Sequence, residues 1–175
     1  MLKITAILLT FLSSSAVGFY KAYEVKRRKQ LLVEFQDLIL QIVTEISYFK
    51  VPLPLIFQRI QPQDNTAASI LMRQIQLGFL TEKNKENVPF SVLWEQAIML
   101  TYKEEPLKKD DLQLMAKCGL FLGQSDYKNQ QQQLDIFLAQ LNQAIEDADQ
   151  IMKTKGSLYR KAGISVGAVL AIAFL

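Results

Sequence analysis

The chain has 175 residues, of which 50% are hydrophobic and 21% charged, and its formal net charge is +3. It contains no histidine, which removes the usual general base and the commonest metal ligand, and its single cysteine excludes an internal disulfide. The net charge is too small to favour nucleic acid, and no basic stripe with interleaved aromatics is present. The length is typical of one domain with attachments.

The N-terminal end of the chain is apolar. No charge interrupts ITAILLTFLSSSAVGFY (4–20), which as a helix reaches about 25 Å, a little less than the hydrocarbon thickness of a bilayer. Apolar residues then recur at helical spacing from Leu31 to Phe49, and nothing breaks the helix before Pro52 and Pro54. The sequence therefore predicts one long first helix.

Shorter amphipathic helices are predicted in the middle of the chain. Asn65 is the predicted N-cap of the third helix and Asp110 that of the fifth, which ends at Gly123. The ranges are about 53–60, 66–80, 91–102 and 110–122. The same spacing predicts the core, which includes Ile70 and Trp94.

The last predicted helix is the longest, since it begins at Ser125 or Asp126 and runs into AGISVGAVLAIAFL (162–175). That uncharged stretch reaches about 21 Å as a helix. The predicted fold is all-α, a bundle of about six helices. Its long first and last helices are antiparallel and continue into a membrane.

Basic residues flank the inner side of both apolar stretches. They are Lys26, Arg27, Arg28, Lys29, Arg160 and Lys161. Since basic clusters stay on the cytoplasmic side, we predict transmembrane helices over 1–20 and 162–175 and a cytoplasmic helical domain over 21–161.

A secretory signal peptide is the rival interpretation of the N-terminus. Lys3 gives a weak positive start, and SSSAVG (13–18) offers small residues for cleavage. The basic cluster that follows would then have to cross the membrane, which such clusters resist. We favour two membrane helices, and a secreted or tail-anchored helical adaptor after cleavage is the alternative.

Small residues recur at a spacing of four in both apolar stretches. Ser14 with Gly18, and Gly163 with Gly167, allow helix backbones to approach closely inside a membrane. Glycine and serine are also frequent in membrane helices that make no such contact, so both interpretations stay open.

Candidate chemistry is sparse. Glu146, Asp147 and Asp149 lie together, but a carboxylate metal site in a helix bundle expects a histidine three residues away. Cys118 has no histidine to activate it and is expected in the core. We therefore predict no catalytic residue, metal, cofactor or small-molecule substrate, and a module that binds proteins, with self-association open. A carboxylate-only membrane enzyme is the alternative.

Four blocks of sequence resemble the stage III sporulation protein AB family. The resemblance covers essentially the whole chain, including an apolar segment at each end. The blocks are TEISYFKVPLP (44–54), LWEQA (93–97), LGQSDYKNQQQQL (122–134) and KGSLYRKAGISVG (155–167).

This resemblance implies a role in endospore formation. Family members act in the mother-cell membrane around the forespore, within a channel-like complex. Their soluble region is similar to the cytoplasmic domains of the F platform protein of type II secretion. That analogy implies docking of the complex's cytoplasmic ATPase, stage III sporulation protein AA, to membrane partners.

Polar residues of two blocks form a candidate partner surface. They are Glu45, Ser125, Asp126 and Gln130. Ser125 and Asp126 lie at a predicted helix start, where capping alone explains them, and we favour that interpretation.

Overall fold

The protein is described by a computed structural model that covers residues 2–49, 51–60, 65–82, 88–122 and 127–173. Within these ranges it contains six α-helices and no β-strand, which confirms the all-α prediction. The helices are α1 (Leu2–Phe49), α2 (Leu53–Arg59), α3 (Ala67–Glu82), α4 (Phe90–Tyr102), α5 (Lys109–Leu122) and α6 (Tyr127–Ala173).

The chain divides into two compact units. Unit 1 comprises Met1–Gln30 and Ile145–Leu175, which contain the first part of α1 and the last part of α6. Unit 2 comprises Leu31–Ala144. These boundaries follow the contacts within the chain. The predicted boundaries at residues 20 and 161 separate membrane helices from a cytoplasmic domain, and that division stays a prediction.

Helix α1 begins at Leu2 and therefore includes the N-terminal apolar stretch. Helix α6 ends at Ala173 and includes the C-terminal apolar stretch up to that residue. Among the described residues, however, no helix is long and apolar enough to cross a membrane.

Unit 2 has a core built on aromatic rings. Trp94 is fully buried, and its Nε1 donates a hydrogen bond to the backbone oxygen of Met115 at 2.9 Å. The Phe35 ring lies 6.2 Å from the Trp94 ring, and the Phe57 and Phe90 rings stack at 5.8 Å. Tilted and stacked rings at these distances add to the stability that burial provides. The prediction that Trp94 belongs to the core is confirmed.

The predicted apolar face of α1 is buried in unit 2. Its buried members are Leu31, Phe35, Leu38, Ile39 and Ile42. The prediction for Ile70 is wrong, because its side chain is 47% exposed. Ala67, Leu71 and Ile75 define the buried stripe of α3, and Ile70 lies beside that stripe rather than on it.

Two predicted helix caps differ from those in the structure. Thr66, not Asn65, is the N-cap of α3, since its Oγ1 accepts a hydrogen bond from the Ser69 amide at 3.1 Å. The fifth helix begins at Lys109, so Asp110 lies inside its first turn rather than at the N-cap, and the Asp111 carboxylate accepts a hydrogen bond from the Lys108 amide at 2.9 Å. The predicted end of α5 at Gly123 lies outside the described residues.

Candidate functional site

Within unit 1, the ends of α1 and α6 pack antiparallel through small residues. A Cβ atom built on Gly18 would lie 2.9 Å from the Cα of Gly163, so neither position accepts a side chain without movement. The Ser14 hydroxyl donates a hydrogen bond to the Gly163 carbonyl at 2.9 Å. Gly167 packs against Phe11, whose ring would lie 3.0 Å from an added Cβ. The structure thus brings both predicted small-residue pairs into the contact between the two helices.

Further along the same two helices, ion pairs replace the small residues. Arg28 donates to Asp147 at 3.0 Å, and Lys29 lies 2.7 Å from Asp149. Asp149 also pairs with Lys153 at 2.6 Å. Hydrogen bonds from Lys153 and then Lys29 lower the pKa of the Asp149 carboxyl. Two of the basic residues predicted to flank a membrane therefore also bind α6.

A basic cleft lies between α1 and α6 of unit 1, with a volume of about 480 Å³. Lys26 and Arg160 line it together with Lys153, and the aromatic side chains of Phe19 and Tyr23 lie on its α1 wall. The sequence predicts Lys26 and Arg160 as membrane-flanking cations, but it does not predict that they line the same cleft. The signal was present, because Phe19, Tyr23 and Lys26 recur at three-and-four spacing on one face of α1.

Of the four candidate partner residues, the structure describes the side chain of Glu45 alone. Glu45 is half-buried on α1, and its Oε2 atom is buried with no hydrogen-bond partner among the described residues. Ser125 and Asp126 lie outside the described residues, and Gln130 lies in the first turn of α6, where its side chain is not described. The structure therefore leaves this surface as a prediction.

Two of the three acidic residues near the start of unit 1's α6 segment face cations. Asp147 contacts Arg28, and Asp149 contacts Lys29, whereas Glu146 is exposed. Within the described parts of the chain, no three of histidine, cysteine, aspartate and glutamate come together as metal ligands. This arrangement gives the carboxylate-only enzyme no convergent set of acids.

Cys118 lies inside unit 2. Its side chain is fully buried, and burial raises the pKa of the thiol well above its usual range. A thiol that stays protonated is a poor nucleophile, so the sequence-based expectation that Cys118 packs as a small core residue is confirmed.

The outer surfaces of unit 1 are rich in exposed apolar side chains. Val17 and Val169, for example, are 63% and 65% exposed. Those of α1 are Leu8, Leu9, Leu12, Val17, Phe19, Tyr20 and Tyr23, and those of α6 are Leu158, Tyr159, Ile164, Val166, Val169, Leu170 and Ile172. Exposed apolar surface of this extent is typical of regions that contact a partner or a lipid phase.

Comparison with known proteins finds similarity to one family. The family model described as stage III sporulation protein AB matches residues 3–175 of the chain. The chain is also similar to stage III sporulation protein AB of Bacillus subtilis (strain 168), with 23% identity over 172 residues and 98% of each chain covered. No solved structure matches the chain.

Proposed function

The chain belongs to the stage III sporulation protein AB family, and we propose that it is a membrane-anchored scaffold of the stage III complex needed for endospore formation. In this proposal it lies in the mother-cell membrane around the forespore. Unit 1 is the anchor, and unit 2, in the cytoplasm, docks the ATPase stage III sporulation protein AA to membrane partners. It catalyses no reaction.

The observation that carries the proposal is the distribution of side chains along unit 1. Apolar residues such as Leu12 and Val166 are exposed around both helices, where water would be an unfavourable neighbour. The cations Lys26, Arg160 and Lys161 follow on one side of this apolar surface, whereas Lys3 is the single cation on the other side. That asymmetry supports an apolar end in the membrane and a cytoplasmic location for the rest of the chain.

A pull-down tests the partner. The full chain, held in lipid nanodiscs, is presented to the purified ATPase with and without nucleotide. We expect specific retention of the ATPase in at least one nucleotide state. Absence of retention in both states would remove the docking role, although the membrane anchor could still stand.

Charge reversal tests the candidate surface. If these residues form the interface, Glu45→Lys and Asp126→Lys should each weaken ATPase retention about tenfold while the melting temperature stays unchanged, because interface charges act on the partner rather than on the fold. Asp135→Lys, at an exposed position of α6, is the matched control. A lowered melting temperature without specific loss of retention would instead assign Asp126 to helix capping.

Cleavage of the N-terminus is the alternative. It would remove Ser14 and Gly18 from the contact with Gly163 and leave α6 without that neighbour. N-terminal sequencing of the protein from sporulating cells distinguishes the two cases. A mature chain that begins at Met1 or Leu2 supports the anchor, whereas one that begins near residue 19 supports a secreted adaptor.

A further inference from the structure

The cleft in unit 1 is lined by cationic side chains and is large enough to hold a ligand. Lys26 projects from α1, Lys153 and Arg160 project from α6, and the cleft between them holds about 480 Å³. Gly156 contributes to its wall, and a Cβ atom added there would meet nothing within 4 Å. Unlike Gly18 and Gly163, this glycine is therefore not explained by helix packing. Its absence of a side chain keeps the cleft open.

The charge of the cleft is not neutralised within the described part of the chain. No acidic side chain lines it. Lys153 is paired with Asp149, and that carboxylate is shared with Lys29. For Lys26 and Arg160, the described residues supply no carboxylate within ion-pair distance, and Arg160 Nε reaches only the Gly156 carbonyl at 3.4 Å. The cleft thus offers two cations to an anion.

The position of the cleft indicates which anion. The exposed rings of Phe19 and Tyr23 lie on its α1 wall, and the exposed apolar residues Val17 and Ile164 come next on the two helices. Tyrosine residues such as Tyr23 are enriched at the level of lipid headgroups, directly beside the hydrocarbon. A ligand with a phosphate for the cations and an acyl chain for the apolar surface fits both features.

We propose that this cleft binds the phosphate headgroup of an anionic phospholipid. The phosphodiester accepts charge-assisted hydrogen bonds from Lys26 and Arg160, and the acyl chains lie along the apolar surface beyond Phe19. The proposal rests on the proposed membrane anchor. It adds a specific lipid site to that anchor, so that unit 1 binds anionic phospholipid in preference to neutral phospholipid.

Native mass spectrometry of the full chain tests the lipid site. The protein is purified in a mild detergent and titrated with phosphatidylglycerol, with phosphatidylcholine, and with inorganic phosphate. We expect one phosphatidylglycerol to be retained at concentrations about tenfold below those needed for phosphatidylcholine, since two cations near a headgroup contribute binding of that order. Equal retention of both lipids would overturn the proposal, and equally tight binding of inorganic phosphate would overturn the lipid as its source.

Variants locate the effect. Lys26→Gln combined with Arg160→Gln should remove the tenfold preference, and Gly156→Leu should do the same by filling the cleft without changing any charge. Lys103→Gln combined with Lys117→Gln removes two exposed cations of unit 2 and is the control that should keep the preference. Loss of the preference in the control as well would show a general charge effect and contradict the site.

Flotation with liposomes separates this proposal from the one on which it rests. If the wild type and the cleft variants float equally and retain the same lipid, the anchor stands and the cleft is not a lipid site. If the wild-type chain itself does not float with liposomes of phosphatidylglycerol and phosphatidylcholine, the membrane anchor fails, and the lipid site fails with it.

Discussion

The two units of this protein are stabilised by different means. Unit 2 buries a continuous set of aromatic and aliphatic side chains, with Trp94, Phe35 and Phe57 fully enclosed. Among the described residues of unit 1, few are buried apolar side chains. Its two helices meet through Gly18, Gly163 and a set of ion pairs, while large apolar side chains point outward. The hydrophobic effect explains the first unit directly. The second is held by close backbone approach and charge pairing, and in the proposed anchor its outer surface lies in the apolar environment of the membrane.

Truncation of the central ring should have the largest effect on stability. Trp94→Ala removes a fully buried side chain and its hydrogen bond to Met115, and we expect a loss of about 3–5 kcal/mol in the free energy of unfolding. Urea unfolding of the full chain in mild detergent measures it. Leu100→Ala, on the exposed face of α4, is the control and should change stability by less than about 0.5 kcal/mol. Equal losses would contradict the core described for unit 2.

A side chain at the glycine contact should separate the helices of unit 1 and leave unit 2 folded. Gly163→Leu places a Cβ atom 2.9 Å from the Cα of Gly18, and the helices must move apart toward the axial distance of about 8–10 Å that side-chain contacts require. Spin labels on Ser13→Cys and Ser165→Cys, both exposed, report the distance. Cys118 can stay, because it is buried and its thiol has a raised pKa.

The control for this separation is another glycine of the same helix. Gly156→Leu meets no atom within 4 Å of its Cβ and should leave the label distance unchanged. Should Gly163→Leu also leave the distance unchanged, the close contact between Gly18 and Gly163 would be wrong.

Removal of one ion pair should cost less. In Asp147→Asn the Arg28 guanidinium, which is 7% exposed, loses a charged partner, but Asp147 itself is 46% exposed and partly screened by solvent. We expect a loss of about 1 kcal/mol in the free energy of unfolding. A double-mutant cycle with Arg28→Gln isolates the pair, and a coupling energy of zero would show that the contact adds nothing to unit 1.

The pH dependence of unit 1 should show the smallest effect. Hydrogen bonds from Lys153 and Lys29 lower the pKa of Asp149 in the folded chain, so the unfolded chain takes up a proton first as the pH falls. The stability contributed by Asp149 is therefore complete at neutral pH and is lost below about pH 4. In a plot of melting temperature against pH, Asp149→Asn should reduce the fall in melting temperature at acidic pH. Asp135→Asn, at an exposed position of α6, is the control and should leave that fall unchanged. Parallel profiles would contradict the role of the shared carboxylate.

Helical periodicity predicted much of unit 2. The spacing of Leu31, Phe35 and Ile42 identified the buried face of α1, since burial against neighbouring helices repeats every three or four residues. The caps were less accurate, because Asn65 and Thr66 are both good N-cap residues and only backbone geometry decides between them. At Asn65 that geometry is a φ of 63°, which excludes the usual extended conformation of an N-cap.

The contacts of unit 1 were harder to predict. Small-residue spacing singled out Gly18 and Gly163, but the register that brings Lys26 and Arg160 to one cleft depends on two segments more than 100 residues apart. Local sequence carries no information on such a register. The double pairing of Asp149 was missed for the same reason, since sequence spacing indicates Lys153 as a partner but not Lys29.

Recruitment of the ATPase to liposomes tests the central claim most directly. The full chain is reconstituted into liposomes that contain phosphatidylglycerol, the purified ATPase is added, and the vesicles are floated through a density gradient. A scaffold anchored through unit 1 predicts that the ATPase floats only with vesicles that carry the chain, and that Glu45→Lys reduces the floated amount about tenfold. If the chain floats and the ATPase stays at the bottom with and without nucleotide, the scaffold role is contradicted.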